Sequence, residues 1–119
     1  MASQRDKRAE DARFRVMRLL SEKPKMSTRQ IAEKIGVSNG YAYYILIALI
    51  EKGFIKLENF KTSKRKKQYA YLLTPKGIRE KSALTVSFIK RKREEFEKLR
   101  KEIDALENEV QLENNSDVI

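Results

Sequence analysis

The feature that most constrains this sequence is the close spacing of helix starts and stops between Ser27 and Gly53. Ser27 is followed three residues later by Gln30, the pattern in which a serine and a glutamine cap each other's backbone at a helix start. Ile31, Ala32 and Ile35 then form an apolar face, and Gly36 supplies the positive φ that ends the helix. Two residues later Ser38 caps another helix, which is expected to run to Lys52 with Gly53 as its stop. Ala32 is small where the two helices cross closely, Gly36 makes the sharp turn, and Val37 plugs the gap beneath it. The segment Ser27-to-Ile55, STRQIAEKIGVSNGYAYYILIALIEKGFI, therefore reads as a helix-turn-helix.

What flanks it completes the pattern. Upstream, Ala9, Ala12, Val16, Leu19 and Leu20 fall on one side of a helical wheel with Met17 at its edge, and Lys23-Pro24 stops that helix. Phe14 falls off the stripe and is expected to touch a partner rather than the local core. Downstream, residues 54–60 and 68–74 read as two strands, joined by the basic loop KTSKRKK at 61–67. Thr74 followed by Pro75 opens a long helix expected over 75–113. In its first part Ile78, Ala83, Leu84, Val86, Phe88 and Ile89 point in nearly all directions, so a partner subunit is expected to cover one side. Further on, Ile89, Phe96, Leu99, Ile103, Leu106 and Val110 keep a heptad spacing interrupted by Lys92. The expected fold is mainly α with a small β-hairpin, a winged helix-turn-helix followed by a coiled-coil-like helix. Its parts are a flexible N-terminus (1–8), a DNA-binding domain (9–74), a dimerisation helix (75–113) and a frayed tail (114–119).

Charge points to the partner. Residues 1–74 hold 17 basic and 7 acidic residues, residues 75–93 hold 7 and 1, and residues 94–119 reverse the balance with 3 and 9. A cationic body of this kind attracts a polyanion. Cys and His are both absent from the sequence, which removes disulfides, Cys- or His-based metal sites and catalysis that needs either residue. The carboxylates of the tail sit on a charged helix with no convergent nucleophile and base, so neither a catalytic set, a metal nor a cofactor is expected. No apolar run approaches the roughly 20 residues of a membrane span, and the N-terminus lacks a secretory pattern. The expected location is the cytoplasm, with no membrane partner.

The residues expected to meet double-stranded DNA follow. On the second helix of the motif Ser38, Asn39, Gly40, Tyr41, Tyr43, Tyr44 and Ile47 lie toward the major groove, where asparagine pairs bidentately with adenine. Ser27, Thr28, Arg29 and Gln30 lie at a helix start suited to phosphates. Lys61, Lys64, Arg65, Lys66 and Lys67 form the wing, on the backbone or in the minor groove. Phe14, Phe88, Ile89, Phe96, Leu99, Ile103, Leu106 and Val110 are the expected dimer contacts. In a parallel homodimer Glu95 faces the partner's Arg100 favourably and Glu102 faces Glu107 unfavourably, while antiparallel pairing sets glutamates against each other. Parallel pairing is mildly preferred.

The run Leu46, Leu49, Ile50, Glu51, Lys52, Gly53, Phe54, Ile55, then the hairpin, then LLTPKG at 72–77, resembles the MarR family of winged-helix regulators. Residues 69–92, YAYLLTPKGIREKSALTVSFIKRK, are similar to its small exopolysaccharide-associated subgroup. The resemblance covers roughly residues 12–100 and implies a bacterial transcription regulator acting as a dimer, not an enzyme. Two departures stand out. Where many members carry an acidic residue and then an arginine at the wing tip, this chain has Arg65 and Lys67, which leaves Arg65 as the minor-groove arginine. Larger members build a body with an effector pocket from extra terminal helices, whereas one long helix follows the wing here, so a small-molecule effector stays open. Two other functions fit a winged helix: a protein-interaction adaptor and an RNA-binding module.

Overall fold

Along the chain the elements are α1 (Gln4–Glu22), α2 (Thr28–Ile35), α3 (Asn39–Glu51), β1 (Ile55–Ser63), β2 (Lys66–Leu73) and α4 (Pro75–Ser116). The computed structural model describes residues 3–63 and 66–116, the side chains of 60–68 excepted. It forms two units, Met1–Val86 and Ser87–Ile119.

α1 begins five residues earlier than the apolar pattern alone implies. The Ser3 hydroxyl accepts from the Asp6 N–H at 3.1 Å, and the Ser3 N–H donates back to the Asp6 carboxylate at 3.3 Å. This reciprocal cap satisfies two orphan donors, so the N-terminal stretch expected to be loose is helical from Gln4. The buried face of α1 is also wider than a single stripe. Phe14, Val16, Met17 and Leu20 are all buried, because α1 packs against α2, α3 and β2 together. Phe14, assigned from the wheel to a partner contact, is only 4% exposed and belongs to the core of its own unit. A wheel assumes one packed side, and here there are several.

The core collects those side chains with Met26, Ile31, Ala32, Ala42, Ile45, Leu46, Leu49, Ile55, Ala70 and Leu84. Ile35, expected on the buried face of α2, is half-buried. The turn forms as read: Gly36 has φ 76°, and the Gly36 and Val37 N–H groups both donate to the Ala32 carbonyl, at 2.9 and 3.0 Å. Two carbonyl bonds on one acceptor close the helix end that the glycine permits.

β1 and β2 pair antiparallel from Ile55↔Leu73 to Ser63↔Lys66, with a register irregularity between Lys61 and Ser63. The basic segment expected as a loop over 61–67 is thus mostly ladder. Lys61 pairs with Lys67, and Lys66 with Ser63. Strand pairing continues through these polar residues because the ladder is made by backbone groups, which lysine, threonine and serine carry as well as apolar residues do. Residues 64 and 65, the expected tip, lie outside the described residues, as do the side chains of Lys61, Lys66 and Lys67.

α4 extends past the expected stop at 113 to Ser116, so the frayed tail loses its first residues; 117–119 lie outside the described residues. Within Ser87–Ile119, each described residue is half-buried or exposed. Among the described residues, no helix is long and apolar enough to cross a membrane.

Candidate nucleic-acid interface

α3 is anchored on one side and open on the other. Ala42, Ile45, Leu46 and Leu49 are buried, and Ser38 caps the helix by accepting from the Tyr41 N–H at 3.1 Å. Ser38, Asn39, Gly40 and Tyr41 are exposed at its start, Tyr43 and Tyr44 are 58% and 68% exposed, and Ile47 is half-buried. The two tyrosines are therefore not walled in by the protein. A capped helix with a buried back and an open polar-aromatic front is a recognition surface in geometry. The Tyr41 and Tyr44 rings stack with centroids 6.3 Å apart and planes 17° apart, which makes one side of that front flat.

At the start of α2 the expected phosphate group divides. The Ser27 hydroxyl accepts from the Gln30 N–H at 3.1 Å, and the Gln30 side-chain oxygen accepts from the Ser27 N–H at 2.9 Å. Both side chains are occupied by the cap. The Thr28 hydroxyl lies 3.4 Å from the Tyr71 hydroxyl, tying α2 to β2. Arg29 alone of the four extends as an exposed cation.

The hairpin is fixed to the helices at its base. The Tyr71 N–H donates to the Pro24 carbonyl at 2.9 Å, so the linker between α1 and α2 runs beside β2. The Thr74 hydroxyl donates to the Gly53 carbonyl at 2.6 Å and accepts from the Gly77 N–H at 3.0 Å, while the Thr74 N–H donates to the Phe54 carbonyl at 3.0 Å. Lys76 Nζ donates to the Lys52 carbonyl at 2.9 Å and sits 5.2 Å from the Phe54 ring centroid. Thr74 thus caps α4 while holding the chain that leaves α3. Gly77 is buried against that same chain, and a Cβ there would meet the Phe54 carbonyl oxygen at 1.9 Å. The threonine-proline-lysine-glycine run is a clamp between the end of α3, the base of the hairpin and the start of α4.

Two cations escaped the sequence reading. Arg5 and Arg8 line a cleft of about 530 Å³ with Ala9, Tyr41 and Tyr44. The signal that locates them is Ser3 with Asp6 three positions on, a helix start that converts the apparent tail into a rigid support.

On α4 the heptad residues are open. Ile89, Phe96, Leu99, Ile103, Leu106 and Val110 are 45–63% exposed, and Phe88 is half-buried. The charges beside them pair within the helix: Lys92 with Glu95 at 3.1 Å and Arg100 with Glu97 at 3.0 Å. The hydrogen bond that Arg100 donates to Glu97, then the charge of Glu97 and that of Asp104, hold the Arg100 guanidinium above its ordinary pKa. Glu95 and Arg100, matched across a parallel dimer by their heptad positions, each have a partner on their own helix.

Comparison with known proteins agrees with this geometry. Residues 10–56 match the family described as winged helix-turn-helix DNA-binding. No curated protein matches the chain in sequence. Among solved structures, a MarR/EmrR family transcriptional regulator from Acinetobacter sp. ADP1 superposes with a TM-score of 0.61 at 22% identity, covering 83% of this chain and 74% of its own. The transcriptional repressor CouR, bound to a 23-mer DNA duplex, gives 0.58 at 24% identity over 78% and 66%. The PcaV regulator from Streptomyces coelicolor with its natural ligand gives 0.56 at 19% identity over 66% of this chain, which spans only 54% of that relative. The fold is therefore a winged helix-turn-helix with a long C-terminal helix, and its structural neighbours are MarR-family regulators.

Proposed function

We propose that the protein is a double-stranded DNA-binding transcription regulator of the MarR type, acting as a homodimer in the bacterial cytoplasm and without enzymatic activity. The observation that carries this reading is the front of α3: Asn39, Gly40, Tyr43 and Tyr44 stand open on a helix whose back is buried and whose end is clamped to the hairpin. The cationic bias of residues 1–93 supplies the attraction to a polyanion. In this reading α3 enters the major groove, Asn39 reads a base edge, Arg29 holds a phosphate, and Lys61, Lys64, Arg65, Lys66 and Lys67 engage the backbone or minor groove.

The open seam of Phe96, Leu99, Ile103, Leu106 and Val110 is the dimer contact in this reading, setting two recognition helices on successive major grooves about 34 Å apart. Residues 69–92 resemble the exopolysaccharide-associated subgroup, and in this reading the chain is one of its members.

Duplexes selected from a random pool and titrated with salt test the proposal. Affinity should fall steeply as salt rises, by about 0.9 log units per log unit of salt for each phosphate neutralised. Asn39→Ala should relax preference at one base pair. A flat salt response, tighter binding of competing RNA, or no duplex binding with capture of one stable protein partner would each overturn it.

A further inference from the structure

We infer that the cleft between the start of α1 and the exposed side of α3 seats the phosphodiester backbone of the DNA that α3 reads. This rests on the proposed function and extends its contact surface to a third helix. The cleft is lined by Arg5, Arg8, Ala9, Tyr41 and Tyr44 and holds about 530 Å³. Its two halves suit the two parts of a nucleotide backbone. Arg5 and Arg8, three residues apart, project from one side of α1, and both are exposed. Among the described residues neither makes a salt bridge or hydrogen bond, and Asp6 between them is occupied at the Ser3 cap. Two like charges at this spacing repel each other, a cost that an anion between them removes. A guanidinium fork is shaped for phosphate oxygens. Opposite, the stacked rings of Tyr41 and Tyr44 give a flat apolar wall with hydroxyl groups at its edge, suited to a sugar and its phosphate.

The dimensions favour duplex DNA as the occupant. A helix with its side chains is about 10–12 Å across, close to the roughly 12 Å width of the major groove. With α3 in that groove, its flanks face phosphate walls, and the arginines stand beside one flank. The cleft is open and its cations are solvated, so it has no means of holding a small free anion tightly. Along a continuous polyanion the same two cations add to contacts made elsewhere.

The test is fluorescence anisotropy of the whole protein on a duplex chosen by random-pool selection, across a salt series. The double variant Arg5→Ala with Arg8→Ala should flatten the slope of log affinity against log salt by about 2, roughly 1 per arginine. It should leave base preference unchanged. Arg5→Lys with Arg8→Lys should keep most of the slope, since the charge stays. Circular dichroism melting reports whether each variant keeps its fold. A wild-type protein that fails to bind duplex overturns the proposed function and this inference together. Steep wild-type binding with an unchanged slope in the alanine pair overturns the cleft assignment alone, as does tight binding of inorganic phosphate that the alanine pair abolishes without affecting DNA.

Discussion

The two units handle apolar residues in opposite ways. Up to Val86, the chain closes a set of large apolar side chains inside itself: Met17, Leu20, Ile31, Leu46 and Leu49 are almost wholly removed from solvent, while Tyr43, Tyr44, Leu57 and Ile78 stay exposed. From Ser87 onward the apolar residues recur as regularly, yet none of the described ones is buried. Regular spacing is therefore common to both and decides neither. What differs is the number of neighbouring elements: α1 has three to pack against. The difference teaches that equal regularity of spacing gives a closed core in the first unit and, among the described residues of the second, an open apolar seam, the one assigned to the dimer contact in the proposed function.

The sharpest way to break this contrast is at the clamp. Gly77→Ala adds a methyl group against the Phe54 carbonyl. Despite the better helix propensity of alanine, it should cost about 3 kcal/mol, read as a lower midpoint in urea unfolding. A neutral result would mean that the first unit is looser than its packing suggests. Next, Leu99→Glu with Ile103→Glu should convert a dimer into monomers by light scattering while leaving the melting of the winged portion in place. Loss of that fold in the monomer would erase the distinction between the units. Thr74→Val should cost about 1–2 kcal/mol, because it removes the cap on the Gly77 N–H and the bond to the Gly53 carbonyl. The smallest effect belongs to Arg18→Ala. Its pair with Glu22 spans 4.0 Å with both side chains about two-thirds exposed, so the change should stay under about 0.5 kcal/mol.

Much of the fold was legible because its punctuation is local. Ser27 with Gln30, Gly36, Ser38, Gly53 and Thr74-Pro75 each act within one helical turn, and each stands where the sequence puts it. The front of α3 was legible for the same reason: its back is set by helical spacing and its front is what remains. Non-local contacts were not. Phe14 is buried by elements distant in sequence, and the close approach of Gly77 to Phe54 depends on a crossing that no pattern around residue 77 reveals. The hairpin was drawn too short, since lysine, threonine and serine at its far end carry no sign that pairing continues. Arg5 and Arg8 were hidden by treating polar composition as looseness, although Ser3 and Asp6 were in view.

Among the described residues, the bonds that tie the hairpin to the helices lie at its base. Its base is fastened through Tyr71, Thr74 and the Phe54 carbonyl, whereas the pairing near Lys61 and Lys66 already tolerates an irregular register. The bonds at the base therefore set no length for the arm. Adding one residue to each strand beyond Lys61 would extend the arm by about 3.4 Å while leaving the bonds at its base as they are.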